Sequence, residues 1–212
     1  MIHSVNSNPI RHIPSSRLAD DRGPTSGYRL SIQPNWASEI PIRFWDPSRC
    51  LIRSLRDYAN GRKRGGALGR VQSKLAVIRH RFWSVVTGAE IPLNTWAIEG
   101  GLELPHPNGI VIHPDSQIGP NCRLFQQVTL GTGPRPGLPV LGANVDIGAG
   151  AKILGGVHLG DFSVIGANAV VITDIPAGAI AVGIPAEVKP HARALWDREV
   201  RSSRGEDPFR RF

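Results

Sequence analysis

Aliphatic residues recur at every sixth position between residues 112 and 171. They are Ile112, Ile118, Leu124 and Leu130, then, after one break, Leu141, Ile147, Ile153, Leu159, Ile165 and Val171. Glycine follows directly at Gly119, Gly131, Gly142, Gly148, Gly160 and Gly166. A period of six matches neither the 3.6 of a helix nor the 2 of a half-buried strand. It predicts a β-solenoid in which each six-residue unit forms one flat face and three units close a coil. The aliphatic side chain points inward and stacks on its equivalent in the next coil. Glycine suits a corner that needs φ > 0 or a close approach of backbone.

The pattern starts less regularly, at Ile91, Ile98, Leu104 and Ile110, and slips by two residues between Leu104 and Ile112. A regular solenoid gains nothing from that slip. A second interruption, residues 132–140, reads as a loop thrown out from a corner, and such loops often lie on the functional face of a solenoid. At the far end Pro185, within Gly183-Ile184-Pro185-Ala186, ends the pairing.

Ahead of the repeats the period changes. Asp46-Pro47-Ser48 reads as a helix start, with Asp at the N-cap and Pro in the first turn. That helix carries Leu51, Ile52, Leu55, Tyr58 and Ala59 and stops near Gly65-Gly66. A second helix over residues 67–86 carries Leu68, Val71, Leu75, Ile78, Phe82 and Val85 at steps of three and four. This stripe requires a partner surface, either a neighbouring subunit or the open end of the solenoid. The expected division is a loosely ordered arm over 1–40, a helical region over 41–88, the solenoid over 89–190, and a tail over 191–212 with a short helix at 192–200.

The formal net charge of +8 is unevenly placed. Between Arg43 and Arg81 eleven basic residues face only Asp46 and Asp57, whereas residues 90–189 hold four basic and eight acidic ones. No aromatic–basic platform accompanies the charge, so nucleic acid is not an expected partner. No apolar run of membrane-spanning length occurs, and the first residues lack a signal peptide's apolar stretch, so no membrane partner is expected either. Two cysteines, Cys50 and Cys122, set no disulfide framework, and a reduced, cytoplasmic protein is expected.

Four stretches carry a resemblance: His106-Pro107-Asn108-Gly109-Ile110-Val111-Ile112, Phe125-Gln126-Gln127-Val128-Thr129-Leu130-Gly131, Ile147-Gly148-Ala149-Gly150-Ala151-Lys152-Ile153-Leu154-Gly155 and Val182-Gly183-Ile184-Pro185-Ala186. Across residues 89–189 the chain resembles serine O-acetyltransferases of the hexapeptide-repeat acyltransferase family. The resemblance implies a mainly β fold, a left-handed parallel β-helix behind a short N-terminal α-helical region. The general rule for parallel crossovers predicts the opposite hand, so the hand rests on the resemblance alone. A homotrimer with active sites between neighbouring subunits is implied too, and pairing of trimers into hexamers stays open. The implied reaction transfers acetyl from acetyl-CoA, as co-substrate, to L-serine, giving the O-acetylserine used in cysteine biosynthesis.

Such chemistry needs little equipment, because the thioester is already activated and the main requirement is a base for the acceptor hydroxyl. His106 matches the family's catalytic histidine and lies in the phase slip. Glu90 falls where the family places the histidine's carboxylate partner, one residue further away, with Glu99 and Glu103 as competing carboxylates. Arg135, Asn108 and Gln126 are assigned to the acceptor. Gly131, Ala149 and Ala167 match positions that line the pantetheine groove, and Lys189, with Lys152 beside it, is assigned to the cofactor's phosphates. No metal is expected, since the spacing of His106, His113 and His158 does not suggest a converging cluster.

Three departures stand out. Long bacterial members carry Asp directly before the base, where this chain has Pro105; after the loop they carry Arg-His before a Pro, where this chain reads Arg135-Pro136-Gly137-Leu138-Pro139. Family members dock on cysteine synthase through a tail ending in Ile, and the ending Arg210-Arg211-Phe212 gives no such expectation. A sugar, polysaccharide precursor or other small alcohol is the alternative acceptor. A non-catalytic trimeric scaffold is the alternative from another class.

Overall fold

The structure, a computed structural model, describes residues 33–93 and 97–189. Residues 1–32 of the expected arm, and the expected tail with its helix at 192–200, lie outside the described residues.

The six-residue period builds three parallel sheets, one per side of a three-sided coil. Side one stacks β1 (Val111–Ile112), β4 (Thr129–Gly131), β7 (Lys152–Leu154) and β10 (Val170–Val171). Side two stacks β2 (Gln117–Ile118), β5 (Val140–Leu141) and β8 (His158–Leu159). Side three stacks β3 (Arg123–Leu124), β6 (Asp146–Ile147), β9 (Val164–Ile165) and β11 (Ile180–Val182), then turns back in the antiparallel β12 (Glu187–Lys189). Ile112 sits on Leu130 and Ile153 on Val171, eighteen residues apart, which is three units of six. Leu130 sits on Ile153 at a larger separation because the loop interrupts that coil. Every aliphatic residue of the period is buried. Each contributes about 1.5–3 kcal/mol relative to an exposed position, and their column is the core.

A first, incomplete coil precedes β1. It contributes one isolated bridge to each side: Glu90 to Val111, Ile98 to Ile118 and Glu103 to Arg123. Glu103 and Arg123 are twenty residues apart, so the two-residue slip of the sequence is an enlarged corner at residues 105–109, between sides three and one.

The glycines that directly follow an inward residue, Gly131 apart, answer to close approach and not to φ. A Cβ on Gly119 would lie 2.5 Å from the Gly142 carbonyl oxygen, and one on Gly148 would lie 2.6 Å from the Ala167 nitrogen. The left-handed backbone falls mostly elsewhere in each corner, at Asn121, Gln127, Asn144, Phe162 and Asn168, with φ between 56° and 60°. Asparagine, at three of these five, tolerates that region better than most residues.

Helix α1 (Pro47–Arg64) is capped by Asp46, whose Oδ1 accepts from the Arg49 amide at 3.3 Å. Leu51, Ile52 and Leu55 belong to the same core as the solenoid column, so α1 closes the open end of the coil. Helix α2 (Gly66–Thr87) returns beside α1 and ends at Gly88, φ 65°. Gly61 and Gly69 face each other where the helices touch, leaving no room for a side chain at either position. The buried face of α2 is Gly69, Ala76, His80 and Thr87, not the expected stripe. Leu68, Val71, Leu75, Ile78, Phe82 and Val85 are all exposed. Capping the solenoid therefore falls to α1, and that alternative for the α2 stripe is corrected.

His80 ties the helices to the first coil. Its Nε2 lies 2.8 Å from the Ile91 carbonyl and its Nδ1 2.9 Å from Ser54 Oγ. A carbonyl only accepts, so Nε2 carries a proton toward Ile91 O, while the single Ser54 hydroxyl proton is contested between the Leu51 carbonyl and His80 Nδ1. Burial lowers the His80 pKa, against the opposing effect of the Ile91 hydrogen bond. A histidine depressed in the folded state contributes stability above its unfolded pKa, about 6.5, that is lost as pH falls through the folded value. The denaturation midpoint of the wild type is expected to drop more between pH 7 and pH 5 than that of His80→Asn. Parallel pH profiles would mean that this joint does not titrate.

Candidate functional site

The corner between sides three and one repeats down the solenoid, and its levels are hydrogen-bonded to each other. The amide of Gln127 donates to Asn108 O at 2.8 Å, that of Gly150 to Gln126 O at 2.8 Å, and that of Asn168 to Ala149 O at 2.8 Å. His106, Asn108, Gln126, Ala149 and Ala167 therefore share one edge of the coil, top to bottom in that order. Five sequence-predicted site residues are brought onto one line by register alone.

At the top of this edge a cavity of about 1020 Å³ opens between the corner and the chain entering α1. His106, Asn108 and Phe125 line it from the solenoid side, and Trp45, Asp46 and Arg49 from the other. His106 is exposed and its ring centroid lies 6.4 Å from that of Phe125. Glu103 and Arg123 also reach the cavity, paired with each other at 2.8 Å through Arg123 Nε and Glu103 Oε2. The opening thus presents an imidazole, aromatic surface and charges of both signs.

The other predicted residues lie elsewhere. Glu90 is exposed on side one and does not line the cavity; among the described residues no hydrogen bond or ion pair joins it to His106. Of the competing carboxylates, Glu103 is the one that lines the cavity with His106. Gly131 ends β4 at the next edge, between sides one and two, where the loop begins. Arg135 lies along that second edge: its carbonyl accepts from Gly156 N at 3.2 Å and its Nη1 donates to Asp174 Oδ1 at 2.7 Å. Asp174 also accepts from the His158 amide at 2.8 Å. That bond first, and Arg135 second, hold its carboxyl below the usual range. Lys189 pairs with Glu187 at 3.0 Å, and Lys152 Nζ donates to Gln127 O at 2.7 Å. Among the described residues no three His, Cys, Asp or Glu side chains are grouped to share a metal ion. Burial pushes the Cys122 thiol up to about 12, so it is not a nucleophile.

Two residues of this site were not anticipated. Asp46 was assigned only a capping role, yet it caps α1 and faces the cavity at once. Arg123 had no role; its place beneath Glu103 follows from the register of the first coil, which the irregular spacing before residue 112 obscured.

No protein-family model matches the chain. The chain is similar to a serine acetyltransferase of Helicobacter pylori, 45% identical over 105 residues, which cover 48% of this chain and 61% of that protein. Among solved structures it is similar to a serine acetyltransferase in complex with CoA, with 31% identity and a TM-score of 0.56 over 69% of this chain and 58% of the other. A soybean serine acetyltransferase complexed with serine gives 30% identity and a TM-score of 0.54, over 66% and 56%. The chain thus spans about three fifths of the length of these relatives. It is serine O-acetyltransferase-like in sequence and in fold.

The Arg135–Asp174 pair is half exposed, and such pairs are worth under about 1 kcal/mol. Arg135→Ala is expected to leave the denaturation midpoint nearly unchanged while amide exchange across residues 132–140 rises several-fold. Equal exchange in both proteins would show that the pair does not hold the loop.

Proposed function

We propose that this chain is an acetyl-CoA-dependent O-acetyltransferase acting on L-serine, a cytoplasmic enzyme that supplies O-acetylserine for cysteine biosynthesis. The single observation that carries the reading is the continuous edge that runs from His106 past Gln126 to Ala149 and Ala167, with the cavity at its head. A narrow pantetheine arm needs small side chains along such an edge, and Ala149 and Ala167 leave that space. Gly131, with Lys189 at the far end of side three, completes the proposed cofactor set.

In this reading His106 takes the proton of the acceptor hydroxyl as its oxygen attacks the thioester carbonyl. The tetrahedral adduct collapses by breaking the C–S bond, and the imidazolium returns the proton to the leaving thiolate. Serine carries an ammonium and a carboxylate, each of which needs an opposite charge once desolvated. Asp46 and Glu103 are the cavity's carboxylates for the first, and Arg49 and Arg123 its guanidiniums for the second. Each is already paired within the chain, so binding would exchange those pairs, and Asn108 faces the hydroxyl end. Glu90 remains the proposed partner of His106 in a form of the site completed by a neighbouring subunit.

The proposed residues fall on two edges of the coil, His106 on one and Gly131 with Arg135 on the other. One copy cannot close such a site, whereas a heterologous contact between unlike surfaces closes as a ring. We therefore assign a homotrimer; the left hand of its β-helices rests on the family resemblance. The helical region of residues 41–88 is proposed as a cap packed on the solenoid of 89–190, sharing its core through Leu51, Ile52 and Leu55. The uncovered α2 stripe, with Val85 84% exposed, fits a surface covered by a second copy when trimers pair. A sugar or other small alcohol is the second reading of the acceptor, favoured by one observation: Arg135, assigned to the serine carboxylate, is already held by Asp174.

His106→Ala is expected to fold and bind CoA while kcat falls by ~10²–10⁴, the worth of a positioned base. Thiol release from acetyl-CoA measured with L-serine, L-homoserine and a panel of sugars tests the acceptor at the same time; full activity in the variant would exclude His106 as the base. Ile78→Asp, on the stripe, is expected to lower the assembly mass measured by light scattering without changing the circular dichroism. An unchanged mass would remove α2 from the subunit contacts.

A further inference from the structure

The chain between Gln33 and Ser48 crosses the first coil as a strap, tied down at three places. At its start Asn121 accepts from the Asn35 amide at 2.7 Å through Oδ1 and donates to Gln33 O at 3.0 Å through Nδ2. At its end Ser48 Oγ donates to Leu104 O at 2.6 Å. The central tie is Glu39, in the 3-10 turn Trp36–Glu39 and only 5% exposed. Glu39 Oε1 accepts from the amides of Gly101 at 2.8 Å and Leu102 at 3.1 Å. Arg56, on α1, donates to both of its oxygens, from Nη2 at 2.8 Å and Nε at 2.9 Å. The same guanidinium donates to Ile98 O at 2.7 Å and Glu99 O at 2.6 Å and lies over the Trp36 ring at 5.3 Å.

A buried carboxylate is costly unless its lone pairs are filled, and this one is filled from strap, helix and coil together. What hangs between the ties is one wall of the cavity: Ile42, Arg43, Trp45 and Asp46. What hangs just beyond Leu102, on the coil, is Leu104, Pro105 and His106 on the opposite wall. One side chain thus sets both walls. Resting on the acetyltransferase reading above, we infer that Glu39 is a positioning residue for the acceptor, fixing the strap that carries Asp46 against the corner that carries His106. Glu39 does not line the cavity, so it acts through those residues. The edge occupied by Ala149 and Ala167 lies further down the coil and does not depend on it.

The separation of the two substrates gives the test. Glu39→Gln keeps the shape and the acceptor oxygen for the Gly101 and Leu102 amides, but turns a donor toward Arg56. Steady-state kinetics are expected to show a tenfold or larger rise in the acceptor KM, with the acetyl-CoA KM and the kcat at saturating acceptor within about twofold of wild type. Gly100→Ala approaches the same strap from the other side, since its Cβ would lie 2.6 Å from the Trp36 ring, and the same selective rise is expected. Circular dichroism and the denaturation midpoint establish that each variant is folded. An unchanged acceptor KM in both folded variants, or an equal rise for both substrates, would overturn the positioning role while leaving the acetyltransferase reading intact. A wild type that releases no thiol with any hydroxyl acceptor would sink the reading, and the positioning role with it.

Discussion

Backbone contact between successive coils is the constraint on which everything else rests. The aliphatic column supplies the driving force, but it can stack only if each turn of chain lies directly on the one before. Gly119 against Gly142 and Gly148 against Ala167 show how little room remains, since a single Cβ would meet backbone atoms at 2.5–2.6 Å. Side chains are therefore excluded from fixed places in the corners and confined to fixed places on the sides. The exterior inherits the regularity of the interior.

This regularity gives the protein straight edges without dedicated machinery. At residues 148–151 and 166–169 the small residues that serve packing also leave the outer edge without bulky side chains, and the two roles need not compete. Reactivity requires the opposite, a place where regularity fails. Enlarging one corner by two residues lets His106 leave the surface at the head of an edge, beside aromatic and charged groups that the perfect repeat does not supply. Helix α1 closes the apolar end of the column just above it, so the cavity lies where two packing regimes meet.

The repeat, the slip, the loop and both helices were legible because each is a local regularity or a local break, written in residues close together in the chain. His106, Asn108, Gln126, Ala149 and Ala167 were named through the family resemblance, and only the register of the coils shows that they share one edge. What escaped depends on contacts that no period encodes. Glu39 meets Arg56, Gly101 and Leu102 across separations of 17 to 63 residues, and nothing in its own surroundings announces it. Arg135 was assigned to the acceptor by comparison with the family's arginine after the loop; its pairing with Asp174, two coils below, is another contact of that kind. The stripe on α2 was legible as apolar but its place was not, because a helical period does not say whether the stripe meets this chain's own core. The face that does is the small and polar one of Gly69, Ala76, His80 and Thr87.

Stacking of this kind also limits how such a chain can change its length. A single residue gained or lost within a side would shift every later inward position out of the column, so small insertions are tolerable only where the spiral already departs from its rhythm, at residues 105–109 and 132–139. Lengthening elsewhere has to come as a whole turn, duplicated or deleted as a block. Each added turn would lengthen the outer edge by one strand spacing, about 4.8 Å. The solenoid is in that sense a ruler, and the reach of any molecule laid along its edge is set in whole turns.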